Sequence, residues 1–198
     1  MKVCVYAICK NESQFVDRFM DSMSEADYVC VLDTGSSDDT VKKLRARGAI
    51  VGETVISPWR FDTARNESLG LIPADADICC AIDLDEQFHP GWRAALERAW
   101  QPDTTRARYR YTWSFRPDGS EGMVFWADKI HKNGCYRWAS PVHETLAYIG
   151  EGAERFVDAA GVQLDHHPDE TKSRGQYLPL LELAVREDPQ NDLSLIHI

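Results

Sequence analysis

Residues 78–86 read Ile-Cys-Cys-Ala-Ile-Asp-Leu-Asp-Glu, and that stretch decides the fold. A short apolar run that stops dead in carboxylates describes a strand buried on both faces with a polar end. The same grammar recurs upstream. Lys2–Cys9 is a β-rich run ending in Lys10-Asn11-Glu12, and Tyr28–Leu32 ends in Asp33-Thr34-Gly35-Ser36-Ser37. Ala49–Ile56 adds a further strand, and Asp77–Ile82 is the fourth of the series. Between them, Phe15, Val16, Phe19, Met20 and Met23 recur at helical spacing, with Ser13 placed to cap. Val41 and Leu44 belong to a short helix capped by Ser37 or Asp38 and stopped by Gly48. Thr63–Leu71 reads as a helix, and after Pro90 the residues Trp92, Ala95, Leu96 and Ala99 share one helical face. Apolar strands joined by helix-length crossovers predict an α/β fold with a mostly parallel central sheet covered by helices. In such sheets ligands bind beyond the carboxyl ends of the strands, where Glu12, Asp33, Asp83 and Asp85 lie.

The pattern changes after residue 105. Arg106–Phe115 and Met123–His131 alternate apolar and polar residues around Pro117-Asp118-Gly119, which predicts a hairpin. Val142–Ile149 and Phe156–Leu164 are strand-like, so a smaller antiparallel sheet is expected here. Tyr177, Leu180, Leu181, Ala184 and Val185 return to helical spacing within 172–187. The chain divides as 1–168, with halves 1–100 and 101–168, followed by a helical segment over 169–198.

Composition bounds the function. With 198 residues, 43% of them hydrophobic, the chain holds one packed domain and a short appendage. Its 32 acidic against 22 basic residues give a formal charge of -10, which repels phosphate backbones and disfavours non-specific nucleic-acid binding. No apolar run reaches the length of a membrane span, and Lys10 and Glu12 interrupt any signal-peptide pattern. Cys4, Cys9, Cys30, Cys79, Cys80 and Cys135 show no C-x-x-C spacing. They read as small core residues in a reducing compartment, so a cytoplasmic protein is expected. A catalytic thiol at Cys9 or Cys135 is the weaker reading.

Four segments carry candidate chemistry. Asp83 and Asp85, two apart at a strand end, suit a shared hard cation such as Mg²⁺ or Mn²⁺, which would neutralise a diphosphate. A solvated acidic turn is the plain alternative. Asp33-Thr34-Gly35-Ser36-Ser37-Asp38 allows close approach of a nucleotide, or is an ordinary helix cap. Asp33 precedes the cap and is expected to be free for another task. Lys10-Asn11-Glu12 and Phe61-Asp62-Thr63-Ala64-Arg65-Asn66 each pass singly for a loop leading into a helix.

In sequence, these four segments resemble the family 2 glycosyltransferases of the GT-A fold, the Rossmann-like fold of nucleotide-diphospho-sugar transferases. The likeness spans about residues 1–145 and is greatest to the subgroup often followed by tetratricopeptide-like helical repeats. Ser37 and Asp39 depart from the family's usual Thr and Gly. The resemblance implies that Asp33 recognises the nucleobase or ribose, that Glu12 helps hold the nucleotide, and that Arg65 and Asn66 line the diphosphate and sugar. Asp83 and Asp85 become the nucleotide-contacting and metal-ligating members of a D-x-D motif. Pro141-Val142-His143-Glu144 resembles the subgroup's Val-His-Glu, which makes Glu144 the expected general base and His143 its neighbour. A late histidine often adds a metal ligand, which points to His166 or His167. Strand alternation turns His166 with Leu164 toward the core and His167 away.

The implied activity is metal-dependent transfer from a nucleotide-diphosphate sugar, a UDP-sugar above all, with inversion. A glycan, lipid-linked sugar, peptide or modified DNA base all fit as acceptor. Nucleotidyl transfer is one rival, but Lys10-Asn11-Glu12-Ser13 lacks the Gly- and Lys/Arg-rich loop that holds a triphosphate. A non-catalytic nucleotide-sugar-binding module is the other. Leu193, Leu195, Ile196 and Ile198 form a segment too short for a stable helix and too apolar for a free tail. The native polypeptide is therefore expected to continue past Ile198 or to meet a partner there.

Overall fold

Successive side chains of Val3–Cys9 point to opposite faces and nearly all are buried, which places this strand, β1, in the middle of a sheet. The computed structural model describes residues 1–169 and 177–190. After β1 come α1 (Val16–Ser22), β2 (Tyr28–Asp33), α2 (Thr40–Ala46), β3 (Ile50–Glu53), α3 (Phe61–Leu69) and β4 (Ile78–Ala81). There follow β5 (Glu86–Phe88), α4 (Trp92–Ala99), β6 (Arg106–Thr112), β7 (Val124–Lys132) and β8 (Tyr136–Ala139). The last are β9 (Thr145–Tyr148), β10 (Phe156–His166) and α5 (Tyr177–Glu187).

Eight strands form one sheet in the order β3-β2-β1-β4-β7-β6-β10-β5. The first four are mutually parallel, and β6 and β10 are parallel to each other. The β4–β7, β7–β6 and β10–β5 pairings are antiparallel. This is the mixed α/β architecture expected from the sequence. One face of β1, through Val3, Val5 and Ala7, packs with Phe19 of α1, Met23 just after it, and Trp92 and Leu96 of α4. The other face, through Cys4 and Tyr6, packs with Leu69, Tyr136, Trp138 and Leu146. Gly161 lets α4 lie close to β10, since an added Cβ would sit 3.0 Å from that of Ala95.

Several expectations need correction. The small antiparallel sheet exists, but it is the β8–β9 pair alone. The predicted hairpin β6–β7 extends the main sheet instead, because β7 finds its second partner in β4. The strand expected over Ala49–Ile56 runs from Ile50 and stops at Glu53, where its partner β2 ends at Asp33. The strand expected from Val142 begins at Thr145, because Ser140 and His143 take positive φ and break the extended run. Ser13 does not cap α1. Phe15 N–H closes a turn onto Glu12, and Ser13 donates its own N–H to Asp38. The N-cap of α2 is Asp39, without a side-chain cap bond, rather than Ser37 or Asp38; Asp38, one residue earlier, accepts the Thr40 N–H. Gly48 ends that helix at φ +87°.

Helix α5 agrees with the predicted spacing from Tyr177 onward. Leu180, Leu181 and Ala184 are buried together with Val142, against Trp59, Phe61 and Tyr177. The expectations for 170–176 and for the apolar segment at 192–198 lie outside the described residues.

Candidate active site

Because β1, β2 and β4 are parallel, their polar ends meet on one edge of the sheet. Asn11, at φ +56°, donates its N–H to Ser36 Oγ at 2.8 Å and accepts from Ser37 N–H at 2.8 Å. That ties the β1 loop to the β2 loop. Glu12 donates its N–H to Thr40 Oγ1 at 2.8 Å. Asp33 is 2% exposed. Its Oδ1 accepts from Gly35 N–H at 3.0 Å and Ser36 N–H at 2.8 Å, and its Oδ2 accepts from the Ser36 hydroxyl. So Asp33 is not the uncommitted carboxylate expected. It shapes the Thr34–Ser37 loop.

The end of β4 is organised around charge. Arg65 projects from α3, 3% exposed, with its guanidinium 5.2 Å from the Trp138 ring centre. Its Nη2 lies 2.7 Å from Asp83 Oδ1, and its Nε donates to Glu144 Oε1 at 3.1 Å. One buried arginine thus joins the D-x-D loop to the Pro141–Glu144 loop, though 79 residues separate Arg65 from Glu144. Burial works against the Asp83 charge, yet Arg65 and Lys129 outweigh it and hold this carboxyl below its ordinary value. Asn66 is drawn inward too. Its side chain donates to Trp138 O and accepts from Trp138 N–H, each at 2.9 Å, which clamps α3 to β8.

Asp85 belongs to a second group. The three-residue strand β5 pairs antiparallel with the end of β10, setting Glu86 opposite His166. His167 N–H then donates to Asp85 O at 2.8 Å, and Asp85 Oδ2 lies 3.3 Å from His166 Nε2. His166 Nδ1 is 3.0 Å from Trp113 O, which assigns its hydrogen to Nδ1 and turns Nε2 to the carboxylate. Burial lowers the imidazole pKa, but the Asp85 contact overrides it and the net shift is upward. His167 stacks flat on Phe115, with centroids 5.1 Å apart. The alternation predicted for the two histidines is what the strand shows.

Two further residues flank Asp83: Lys129, which sequence reasoning passed over, and Glu86, which it read as part of the acidic strand end without a role of its own. Lys129 lies in a bulge of β7, where Asp128 and Lys129 stand between the pairs Tyr109↔Ala127 and Ala107↔Ile130. Its Nζ is 3.8 Å from Asp83 Oδ2. Desolvation disfavours its charge, but Glu86 and Asp83 more than offset that and raise its pKa. Glu86, 2% exposed, has its pKa raised by burial. Trp138 also heads a buried chain in which its Nε1 donates to Tyr6 Oη at 3.0 Å, which in turn meets His131 Nε2 at 2.8 Å. The thiol of Cys9 is buried beside Asp33, and burial pushes its pKa well up, which disfavours the thiolate.

Among the described residues no group of three or more His, Cys, Asp or Glu side chains is placed to hold a metal ion. The Asp85–His166 pair offers one hard oxygen and one imidazole nitrogen on a common side. That donor set fits a divalent ion that keeps most of its shell as water and phosphate oxygen. Asp83 is engaged by Arg65, and His167 stacks on Phe115. Among the described residues no helix is long and apolar enough to cross a membrane.

No family model matches the chain. Among solved structures it is similar to glucosyl-3-phosphoglycerate synthase from Mycobacterium tuberculosis in complex with Mn²⁺, uridine diphosphate and glucosyl-3-phosphoglycerate. That match has 26% identity and a TM-score of 0.46 over 56% of this chain and 44% of the synthase. The same synthase with Mn²⁺ and UDP-glucose gives 26% and 0.46 over 56% and 43%. A structure described as a mycobacterial protein gives 24% and 0.47 over 57% and 41%. The chain spans less than half the length of these proteins.

Proposed function

We propose that this chain is the catalytic part of a GT-A glycosyltransferase that moves a sugar from a UDP-sugar to an acceptor with inversion, aided by Mn²⁺ or Mg²⁺. The observation that carries the reading is Arg65, buried between Asp83 and Glu144 beside the Asp85–His166 pair, at the edge where parallel strands end. Residues 1–100 form the donor half and 101–168 the acceptor half. Asp85 and His166 hold the divalent ion, which when bound offsets the charge of the diphosphate. Asp83 faces the nucleotide, and the loop that Asp33 shapes meets the nucleoside, with Glu12 at its border. Arg65 and Lys129 supply positive charge beside the leaving diphosphate. Arg65 also aims Glu144, which takes the acceptor's proton. Asn66 serves by fixing Trp138, and through it the wall on which Arg65 rests.

The affinity with the repeat-bearing subgroup is proposed on the motif order and on α5, which docks on the Val142 loop as a C-terminal helix would at the start of a helical segment. The six free cysteines fit a cytoplasmic setting.

The test is a screen of nucleotide sugars for nucleotide release with Mn²⁺, Mg²⁺ or chelator. Release that needs a divalent ion and disappears in Asp85→Asn supports the reading. No release from any nucleotide sugar, despite binding of one, would leave the non-catalytic module in its place.

A further inference from the structure

The D-x-D loop is held by a side chain to which the motif gives no part. Glu86 Oε2 accepts from the Asp83 backbone N–H at 2.9 Å, and Glu86 Oε1 accepts from the Tyr111 hydroxyl at 2.6 Å. Glu86 N–H closes the turn onto Asp83 O at 3.0 Å. Its backbone meanwhile stands opposite His166 in the β5–β10 pairing. One buried residue therefore ties the loop to β6 through its side chain, while the backbone of its neighbour Asp85 accepts from His167 N–H at the end of β10. Both side-chain neighbours are donors, and the carboxyl group offers each of them an oxygen acceptor. An apolar residue here would leave both donors buried without a partner. Outer partners of this kind fix the aim of metal-ligating groups.

We infer that Glu86 is a positioning residue: by joining the Asp83 N–H to the Tyr111 hydroxyl, it sets the loop so that Asp85 faces His166 as a divalent cation requires. This rests on the donor-site reading above. A Glu86 that only completed the core edge would change stability and leave the cation affinity of the folded protein untouched.

The experiment titrates Mn²⁺ into the full chain with UDP present. Bound ion is read by electron paramagnetic resonance, and folding by thermal melting. Glu86→Ala weakens Mn²⁺ binding by about tenfold or more, the scale on which outer-shell partners act. Tyr111→Phe, which keeps the carboxylate and loses one hydrogen bond, weakens it by about threefold or more. Glu86→Gln still accepts from Asp83 N–H and donates to the Tyr111 oxygen, so it stays within about threefold of the parent. Should Glu86→Ala fail to fold, Tyr111→Phe decides. Wild-type affinity in Tyr111→Phe and in folded Glu86→Ala overturns the inference while the donor site stands. A Gln variant as weak as the Ala variant overturns it too, because charge rather than bonding geometry would then be at work. A parent protein that binds no Mn²⁺ removes the metal reading and this inference with it.

Discussion

Arg65 works as a planar fork, with Nε on Glu144 and Nη2 on Asp83. Lysine carries the same charge but only a single point of it, and cannot span both partners. Arg65→Lys should lower stability by about 1.5–3 kcal/mol, the scale of a hydrogen bond to a charged group. Nucleotide release should fall by about tenfold or more, roughly 1.4 kcal/mol of lost transition-state stabilisation. Urea unfolding and a release assay check the two parts separately, and a variant equal to the parent in both would remove Arg65 from the centre of the site. His131 offers a test of pH dependence. Its ring is 1% exposed, and burial lowers its pKa from 6.5 to about 4. The unfolded chain takes up that proton near pH 6.5 and the folded chain does not. The contribution is therefore present above pH 6.5 and is lost as pH falls toward 4, by about 3 kcal/mol in all. His131→Phe should flatten the acid limb of the stability profile, at some cost at neutral pH where Tyr6 loses an acceptor. An acid limb that keeps its slope in the variant would show that other groups set it.

At the level of elements, His166 at the end of β10 and His167 just beyond it turn to different partners. His166 turns to Asp85, while His167 is taken up by Phe115. His166→Ala should weaken Mn²⁺ binding by about tenfold or more, while His167→Ala stays within about twofold. Equal losses in the two variants would mean that the strand end is rearranged when the ion binds. The alternation was legible in the sequence because it follows from strand geometry alone. The partner was not. β5 has three residues and no hydrophobic period of its own, and its pairing with β10 joins positions some 80 apart in the chain. The signal for β8 was present, since Tyr136 and Trp138 are buried and Arg137 between them is exposed, yet so short a run competes poorly with a loop.

Across the whole molecule, the proposed donor site draws on several strand ends that only the complete sheet brings together, so its ligands should bind the folded state alone. UDP with Mn²⁺ at about a hundred times its dissociation constant should add about 2.7 kcal/mol to stability. For a domain of this size that is a rise of roughly 5–10 °C in melting temperature, with smaller shifts for either component alone. No shift with any nucleoside diphosphate, with or without metal, would remove the donor site.

Periodicity in the sequence was enough to predict the parallel half of the sheet and the polar ends of β1, β2 and β4, but not their spatial order β2-β1-β4. A buried strand has to be apolar on both faces, and the first polar residue marks where it leaves the core. Motif order made Asp83, Asp85, Arg65 and Glu144 candidates, and the structure brings Arg65, Asp83 and Glu144 into contact. Motif order could not show that Asp33 closes on its own loop, that Asn66 clamps Trp138, or that Lys129 and Glu86 flank Asp83. Those facts depend on a bulge, a three-residue strand and contacts between distant segments. Local pattern carries no record of them, because each arises only when the packed sheet brings the segments within hydrogen-bonding distance.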